Sequence, residues 1–298
     1  MNSSRTQVLS RSGAAWWLHD VALLTKFRLS ALVVFSAAIG FVLSSGSGLE
    51  WNRLLLLLAG GFLVTAASNA LNQIIEKDYD RLMDRTRNRP LPAERMSVPV
   101  ALLISGVLAF SGLTIFLVYF NALSAILSAL ALIVYAFIYT PLKRFTAAAV
   151  FVGALPGALP PLIGAVSAAG TFTLAGWLLF AIQWIWQFPH FWAVAWVAYD
   201  DYLKAGYYLL PSREGRNRFS ALQILLYTLL LLPVSVLPSV LGISGIPSFA
   251  INLLASLLFL YPALQLLRFN SPCWARRLMF GSFFYLPLVQ LAVYFDRL

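Results

Sequence analysis

The sequence holds one cysteine, Cys273, two histidines and only 11 acidic residues among 298. A lone thiol excludes an intramolecular disulfide, a thiolate metal cluster and a C-x-x-C-H haem attachment. Charge of any kind is scarce: Asp, Glu, Lys and Arg make up 11% of the chain, while 60% is hydrophobic. So little polar surface cannot cover a water-soluble globule. Heptads, low-complexity tracts and domain linkers are also missing, as is the layout of a cleaved secretory signal, because the first apolar run is long and more runs follow it.

What the chain does have is apolar runs long enough to cross a bilayer core, which takes about 20 residues. They lie at roughly 29–45, 53–75, 98–119, 121–139, 146–167, 172–197, 219–241, 248–267 and 278–295. In lipid only helices or closed barrels satisfy the backbone, and barrel strands would be short and alternating. The pattern therefore predicts an all-α integral membrane protein. Residues 1–28 read as a cytoplasmic N-terminal tail and 29–298 as a single membrane domain of nine transmembrane helices.

The net charge of +10 is distributed on one side. With the N-terminus inside, Arg5, Arg11, Lys26 and Arg28 share that side with the basic residues of segments 76–97, 140–145, 198–218 and 268–277. Only Arg53 and Arg297 fall opposite. The positive-inside rule then predicts an N-in, C-out topology. It also explains the basic excess without nucleic acid.

Two of the inward loops, 76–97 and 198–218, carry most of the acidic residues. In "NALNQIIEKDYDRLMDRTRNRPLP", Asn72, Glu76, Asp80 and Asp84 recur every four residues, one slowly drifting face if the helix of the second span continues. Like charges at that spacing repel, so a helix choosing for its own stability would avoid them. The second element, "YDDYLKAGYYLLPSREGR", adds Asp200 and Asp201. One reading is a solvated juxtamembrane face whose charges pair with one another and with anionic lipid. The other is a metal–diphosphate site: Mg²⁺ takes carboxylate oxygens together with substrate phosphates. The expected metal set is Asn72, Glu76, Asp80, Asp84, Asp200 and Asp201. Arg85, Arg89 and Lys204, around these elements, supply cations for phosphate oxygens.

These residues carry a family resemblance. The run from Asp78 to Pro92, D-x-D-x-x-M-x-R-T-x-x-R-P-L-P, resembles the first Asp-rich signature of the UbiA superfamily of intramembrane prenyltransferases, in its haem-prenylating branch. "YTPLKR" at 139–144, "GALPPLIG" at 157–164, "PHFWAVA" at 189–195 and "DDYLKAGYYLLP" at 200–211 add to it. Asn72, Glu76 and Asp80 match the superfamily's metal signature, with Gln73 departing from its first Asp and Glu76 from its second. Lys143 and Arg144 match its diphosphate-facing basic pair. The resemblance implies a UbiA-type helical bundle, farnesyl diphosphate and protoheme IX as substrates, and Mg²⁺ as cofactor. It further implies a haem A synthase or oxidase assembly factors as partners, and a bacterial cytoplasmic membrane, with the mitochondrial inner membrane as the alternative location. A quinone-type prenyltransferase and a membrane transporter are the rival readings. Gln73 and "PHFW" speak against the first, and carboxylates at one membrane face against the second.

Span six carries a polar stripe: Gln183, Gln187 and His190 share one helical face amid Trp184, Trp186, Trp192 and Trp196. Intramembrane polar groups face the bundle interior, as interhelical glue or as functional groups. The resemblance makes this face a candidate haem cavity, with His190 as iron ligand or propionate partner; His19 is the other imidazole in the chain. The prolines of "GALPGALPPLIG" are expected to break span five.

Overall fold

The computed structural model describes residues 13–298 except 47 and 49. Arg5 and Arg11, counted above with the inward charge, lie outside the described residues. The chain forms α1 (Ala14–Leu24), α2 (Phe27–Ser44), α3 (Trp51–Ile75), α4 (Val98–Tyr119), α5 (Ala122–Leu142), α6 (Ala149–Ala169), α7 (Leu174–Val197), α8 (Arg218–Val240), α9 (Ile246–Phe269) and α10 (Pro272–Phe295). Short helical turns at Lys77–Asp80 and Tyr199–Lys204 prolong α3 and α7. Among the described residues the only bridge between extended segments joins Ser244 and Arg297.

Among the described residues eight helices, α2 to α6 and α8 to α10, are long and apolar enough to cross a membrane. α7, the other expected span, has 24 residues but is diluted by Gln183, Gln187, Pro189, His190 and its tryptophans. It nevertheless runs the length of the bundle. Thr173, its N-cap, meets Ser44 at the end of α2 (2.9 Å), and Arg216 donates to the Trp196 carbonyl at the opposite end (2.8 Å).

The segment read as a tail is helical over most of its described length. α1 is moored to the loop after α3: Arg95 Nε and Nη2 both donate to the Asp20 carboxylate. Gln73 Nε2 donates to the Leu23 and Leu24 carbonyls at 2.8 and 2.7 Å. Gln73 thus closes the end of α1, where unsatisfied carbonyls accumulate. That is the physical role of the position at which the sequence departs from an acidic signature.

Side chains are distributed inside out. Leu103, Phe110, Leu258 and Phe284 point outward and exposed, while buried serines, glutamines and asparagines are interspersed among the apolar side chains of the interior. Between lipid-bathed helices, association rests on close packing and hydrogen bonds rather than on apolar burial. One chain of bonds links four helices: Ser36 Oγ to Gln290 Oε1 (3.1 Å), Gln290 Nε2 to Gln183 Oε1 (2.9 Å), and Gln183 Nε2 to the Gly157 carbonyl (2.8 Å). The last of these explains why α6 does not break. Pro161 has no N–H for the Gly157 carbonyl four residues earlier, and Gln183 supplies the missing donor. α6 is accordingly continuous through Pro156, Pro160 and Pro161, a correction to the expected interruption.

α2 and α6 cross with almost no side chain between them. A Cβ on Gly164 would lie 1.9 Å from the Ala37 carbonyl oxygen, and one on Gly40 equally close to that of Pro161. Backbone cannot yield as a flexible side chain can, so Gly164→Ala is expected to cost at least the 1–3 kcal/mol typical of overpacking. Thermal unfolding of the detergent-solubilised protein checks this; a melting temperature equal to the parent's would show that the helices part freely.

Candidate active site

The helical hydrogen bonding of α3 continues past Ile75. Glu76 N–H donates to the Asn72 carbonyl (3.0 Å) and Asp80 N–H to the Glu76 carbonyl (2.8 Å). Asn72, Glu76 and Asp80 therefore stack on one face, as the four-residue spacing predicts, and all three are buried. The ladder ends there. The chain turns after Arg81, and Asp84 is exposed, paired with Lys204 and Arg87.

Cations from three other parts of the chain meet this face. Lys143 Nζ lies 2.5 Å from Glu76 Oε1, and Arg89 Nη1 donates to Asp80 Oδ2 at 2.6 Å. Lys26 Nζ donates to Asn72 Oδ1 at 3.0 Å. Asn72 Nδ2 donates to Glu76 Oε2 (2.8 Å), and the Tyr207 hydroxyl to Glu76 Oε1 (3.1 Å). Lys143 reaches its place because α5 widens into a π-helical stretch at Val134–Tyr139. That stretch turns Thr140 toward Asn72 Nδ2 (3.1 Å) and sets the Tyr139 ring 4.9 Å from the Lys143 ammonium. π-Helical turns inside α-helices recur at functional sites. Arg144 lies over the Tyr79 ring (4.1 Å) and donates to the Ile75 carbonyl.

The electrostatics follow from this packing. Burial pushes the Glu76 carboxyl up, but the Lys143 ammonium, assisted by Lys26 and Asn72, outweighs it and holds the group below the usual carboxylate range. At Asp80 burial wins over the opposing Arg89, and with the charge of Glu76 it raises the carboxyl above its ordinary value. Burial, then the neighbouring Arg89 and Lys143, bring the Lys26 ammonium down to about 7. Burial and Glu76 likewise raise the Tyr207 hydroxyl.

Lys26 and Tyr207 are members of this cluster that sequence reasoning missed. Lys26 was counted only as an inward charge. It occupies the turn between α1 and α2 in the left-handed conformation (φ 47°, ψ 53°), which costs a non-glycine residue about 1–3 kcal/mol. Its one sequence signal is a lysine flush with the start of the first apolar run.

The second acidic element does something else. Asp201 accepts from the backbone N–H groups of Asp84 (2.8 Å) and Arg85 (3.2 Å), tying the two inner loops together, with Lys204 bridging Asp84 and Asp201. The Lys204 bond to Asp84 raises the ammonium and lowers the carboxyl. Asp200 turns outward to Arg216 (3.0 Å), and Arg85 sits 5.8 Å from the Tyr202 ring. The expected six-residue metal set is thus not one cluster: the structure gathers Asn72, Glu76 and Asp80, with Arg89 and Lys143, and leaves Asp84, Asp200 and Asp201 outside. Among the described residues no three His, Cys, Asp or Glu side chains converge as a ready-made metal site. Even so, Asp80 Oδ1 is buried with no hydrogen-bond partner. An orphaned carboxylate oxygen beside the oxygens of Asn72 and Glu76 is a hard donor set of the kind Mg²⁺ prefers.

Above the cluster lies an apolar cavity lined by residues of α2 to α6. Leu29 and Val33 of α2, Val64 of α3, Ala131 of α5 and Pro160 of α6 form its walls. Asn69, one helical turn from Asn72, marks its inner end.

The polar stripe of α7 is engaged by neighbouring helices. Gln183 and Gln187 donate to the α6 carbonyls of Gly157 and Ala154. His190 Nδ1 is 2.7 Å from Ser282 Oγ of α10, and its ring stacks on Trp186 with centroids 4.6 Å apart. His19 is exposed on α1 beside Asp20.

Comparison with known proteins agrees with this architecture. The chain is 46% identical over 275 residues to a protoheme IX farnesyltransferase of Cytophaga hutchinsonii, covering 92% of this chain and 96% of that protein. It is 44% identical to the enzyme of the same description from Christiangramia forsetii, covering 99% of this chain and 98% of that one. In three dimensions it resembles a digeranylgeranylglyceryl phosphate synthase (TM-score 0.78, 22% identity, covering 94% of this chain and 98% of that one). It also resembles a UbiA homologue of Archaeoglobus fulgidus bound to GPP and Mg²⁺ (TM-score 0.70, 15% identity, covering 92% and 99%). The model of the UbiA prenyltransferase family matches residues 33–286, and the chain belongs to that family.

Proposed function

We propose that the protein transfers a farnesyl group from farnesyl diphosphate to a vinyl group of protoheme IX, giving haem O and diphosphate. The observation that carries this reading is the buried Asn72–Glu76–Asp80 cluster, ringed by Lys26, Arg89 and Lys143, at the mouth of an apolar cavity. A ligand with a polyanionic head and a long hydrocarbon tail fits both halves at once. The names of the curated relatives select haem as the acceptor.

In this reading Asn72, Glu76 and Asp80 hold Mg²⁺, which when bound neutralises charge on the departing diphosphate. Lys143, Arg144, Arg89 and Lys26 donate to its phosphate oxygens, strongest where the negative charge grows as the carbon–oxygen bond breaks. The cavity between α2 and α6 holds the hydrocarbon chain and keeps water from the allylic carbon. The vinyl carbon of the porphyrin attacks that carbon, the diphosphate keeps the electron pair of the broken bond, and water adds to the resulting cation to leave a hydroxyl. In this reading α7 crosses the membrane with the other eight long helices, so the two termini lie on opposite sides, and the basic excess beside the cluster supports a cytoplasmic location for it and for the N-terminus.

Incubating the purified protein with haem, farnesyl diphosphate and Mg²⁺ is expected to raise the haem mass by one farnesyl and one hydroxyl group. Glu76→Gln and Asp80→Asn are each expected to lower kcat on the order of 100-fold, the scale of losing one charge-stabilising group. Turnover within twofold of the parent, with the metal requirement intact, would refute their role. Reporter fusions after Arg89 and Arg213 should read as cytoplasmic and those at Gly46 and Gly245 as external; a cytoplasmic signal at Gly245 would overturn the nine-crossing topology. Because His190 Nδ1 bonds Ser282 Oγ, His190→Ala is expected to lower stability by about 1–3 kcal/mol, the loss of a buried hydrogen-bond partner. Haem affinity should stay within twofold if the imidazole only packs, and a selective loss of haem in a spectroscopic titration would assign it the iron-ligand role.

A further inference from the structure

The cleft between the α5–α6 connection and the segment leading into α8 shares Lys143 and Arg144 with the diphosphate site, but its other walls are used by none of the chemistry above. It measures about 730 Å³, and Lys143, Arg144 and Arg213 line it together with Phe151, Trp192 and Phe219. No Asp or Glu is among its walls. Arg213 makes no ion pair or hydrogen bond among the described residues, and the adjacent Glu214 is engaged with Asn217. Two side chains of the wall carry buried N–H donors without partners, Arg144 Nε and Trp192 Nε1.

Arg213 has no carboxylate partner until an anion enters, and the unpaired donors at Arg144 Nε and Trp192 Nε1 call for an acceptor. Aromatic walls beside those cations suit a flat apolar body carrying its negative charge on one edge. We propose that this cleft is the docking site of the acceptor, a planar dicarboxylated macrocycle, with Arg213 holding a carboxylate, the free Arg144 Nε adding a donor on the side of the diphosphate site, and Phe151, Trp192 and Phe219 flanking its ring. The placement suits transfer, because Lys143 belongs both to this wall and to the Glu76 cluster. An acceptor in the cleft adjoins the bond that breaks. Trp192 is two residues from His190, about 200° around α7 at 3.6 residues per turn, so the cleft and the imidazole lie on opposite sides of that helix. This assignment rests on the porphyrin being the acceptor. An anionic phospholipid head group offers the same charge without the flat ring.

The test uses the full-length protein in phosphatidylcholine nanodiscs, titrated with ferric protoporphyrin IX and with its dimethyl ester, read by Soret absorbance and tryptophan quenching. Arg213→Ala is expected to weaken the free acid about tenfold or more, the scale of one charge-assisted hydrogen bond. Parent and variant should bind the ester alike, and farnesyl diphosphate affinity, which reports an intact fold, should stay within twofold. Phe219→Ala should weaken acid and ester together. If Arg213→Ala binds the free acid as the parent does, the cleft is not the acceptor site while the proposed reaction stands. If its only defect is lost dependence on added phosphatidylglycerol, the cleft is a lipid site and the proposal falls. A parent protein that binds neither porphyrin overturns the cleft and the proposed acceptor together.

Discussion

A carboxylate buried at the edge of a lipid bilayer needs a cation or a hydrogen-bond donor beside it, and the inner end of this bundle is arranged around that requirement. Removing one partner of a buried ion pair leaves an uncompensated charge, at a typical cost of about 3–5 kcal/mol. Glu76 alone draws on Lys143 from the end of α5, Asn72 from α3 and Tyr207 from the loop before α8. Asp80 draws on Arg89, and Asn72 on Lys26. The strained turn at Lys26, the π-helical stretch of α5 and the mooring of α1 by Gln73 all serve to bring those partners in. The same demand for charge makes the cluster suited to a ligand that is itself part polyanion.

The middle of the bundle obeys the corresponding rule for neutral groups. In a dry interior every backbone carbonyl needs a donor, and three prolines in α6 remove donors that the helix would normally supply. Gln183 reaches across from α7 to one freed carbonyl and Gln290 from α10 holds Gln183 in turn, so a local defect in one helix becomes a bond between helices. Close backbone contact at Gly40 and Gly164 then seats α2 on α6, and the slot left between them and α3 to α5 is walled mostly by apolar side chains such as Leu29, Val33, Val64, Ala131 and Pro160.

Much of this was legible in the sequence, for definable reasons. Hydropathy and charge asymmetry report solvent, so span positions and the side bearing the chemistry follow from composition read locally. The four-residue recurrence of Asn72, Glu76 and Asp80 is a helical property that survived because hydrogen bonding of α3 runs past the membrane edge. It misled at Asp84, where the chain turns; at α7, read from the sequence as a span, the helix is full length but its polar side chains, satisfied by neighbouring helices, dilute its apolar character.

What the sequence by itself determined is the helical membrane architecture, the family and the end of the bundle where charge gathers, because each depends on residues near one another in the chain. Only the tertiary structure decided which cation meets which carboxylate, that Lys26 and Tyr207 belong to the cluster while Asp84, Asp200 and Asp201 do not, and that Gln183 and Gln187 bind helices together. Those outcomes depend on which of several competing polar partners, up to 131 residues apart in the case of Tyr207 and Glu76, comes within about 3 Å once the helices have packed.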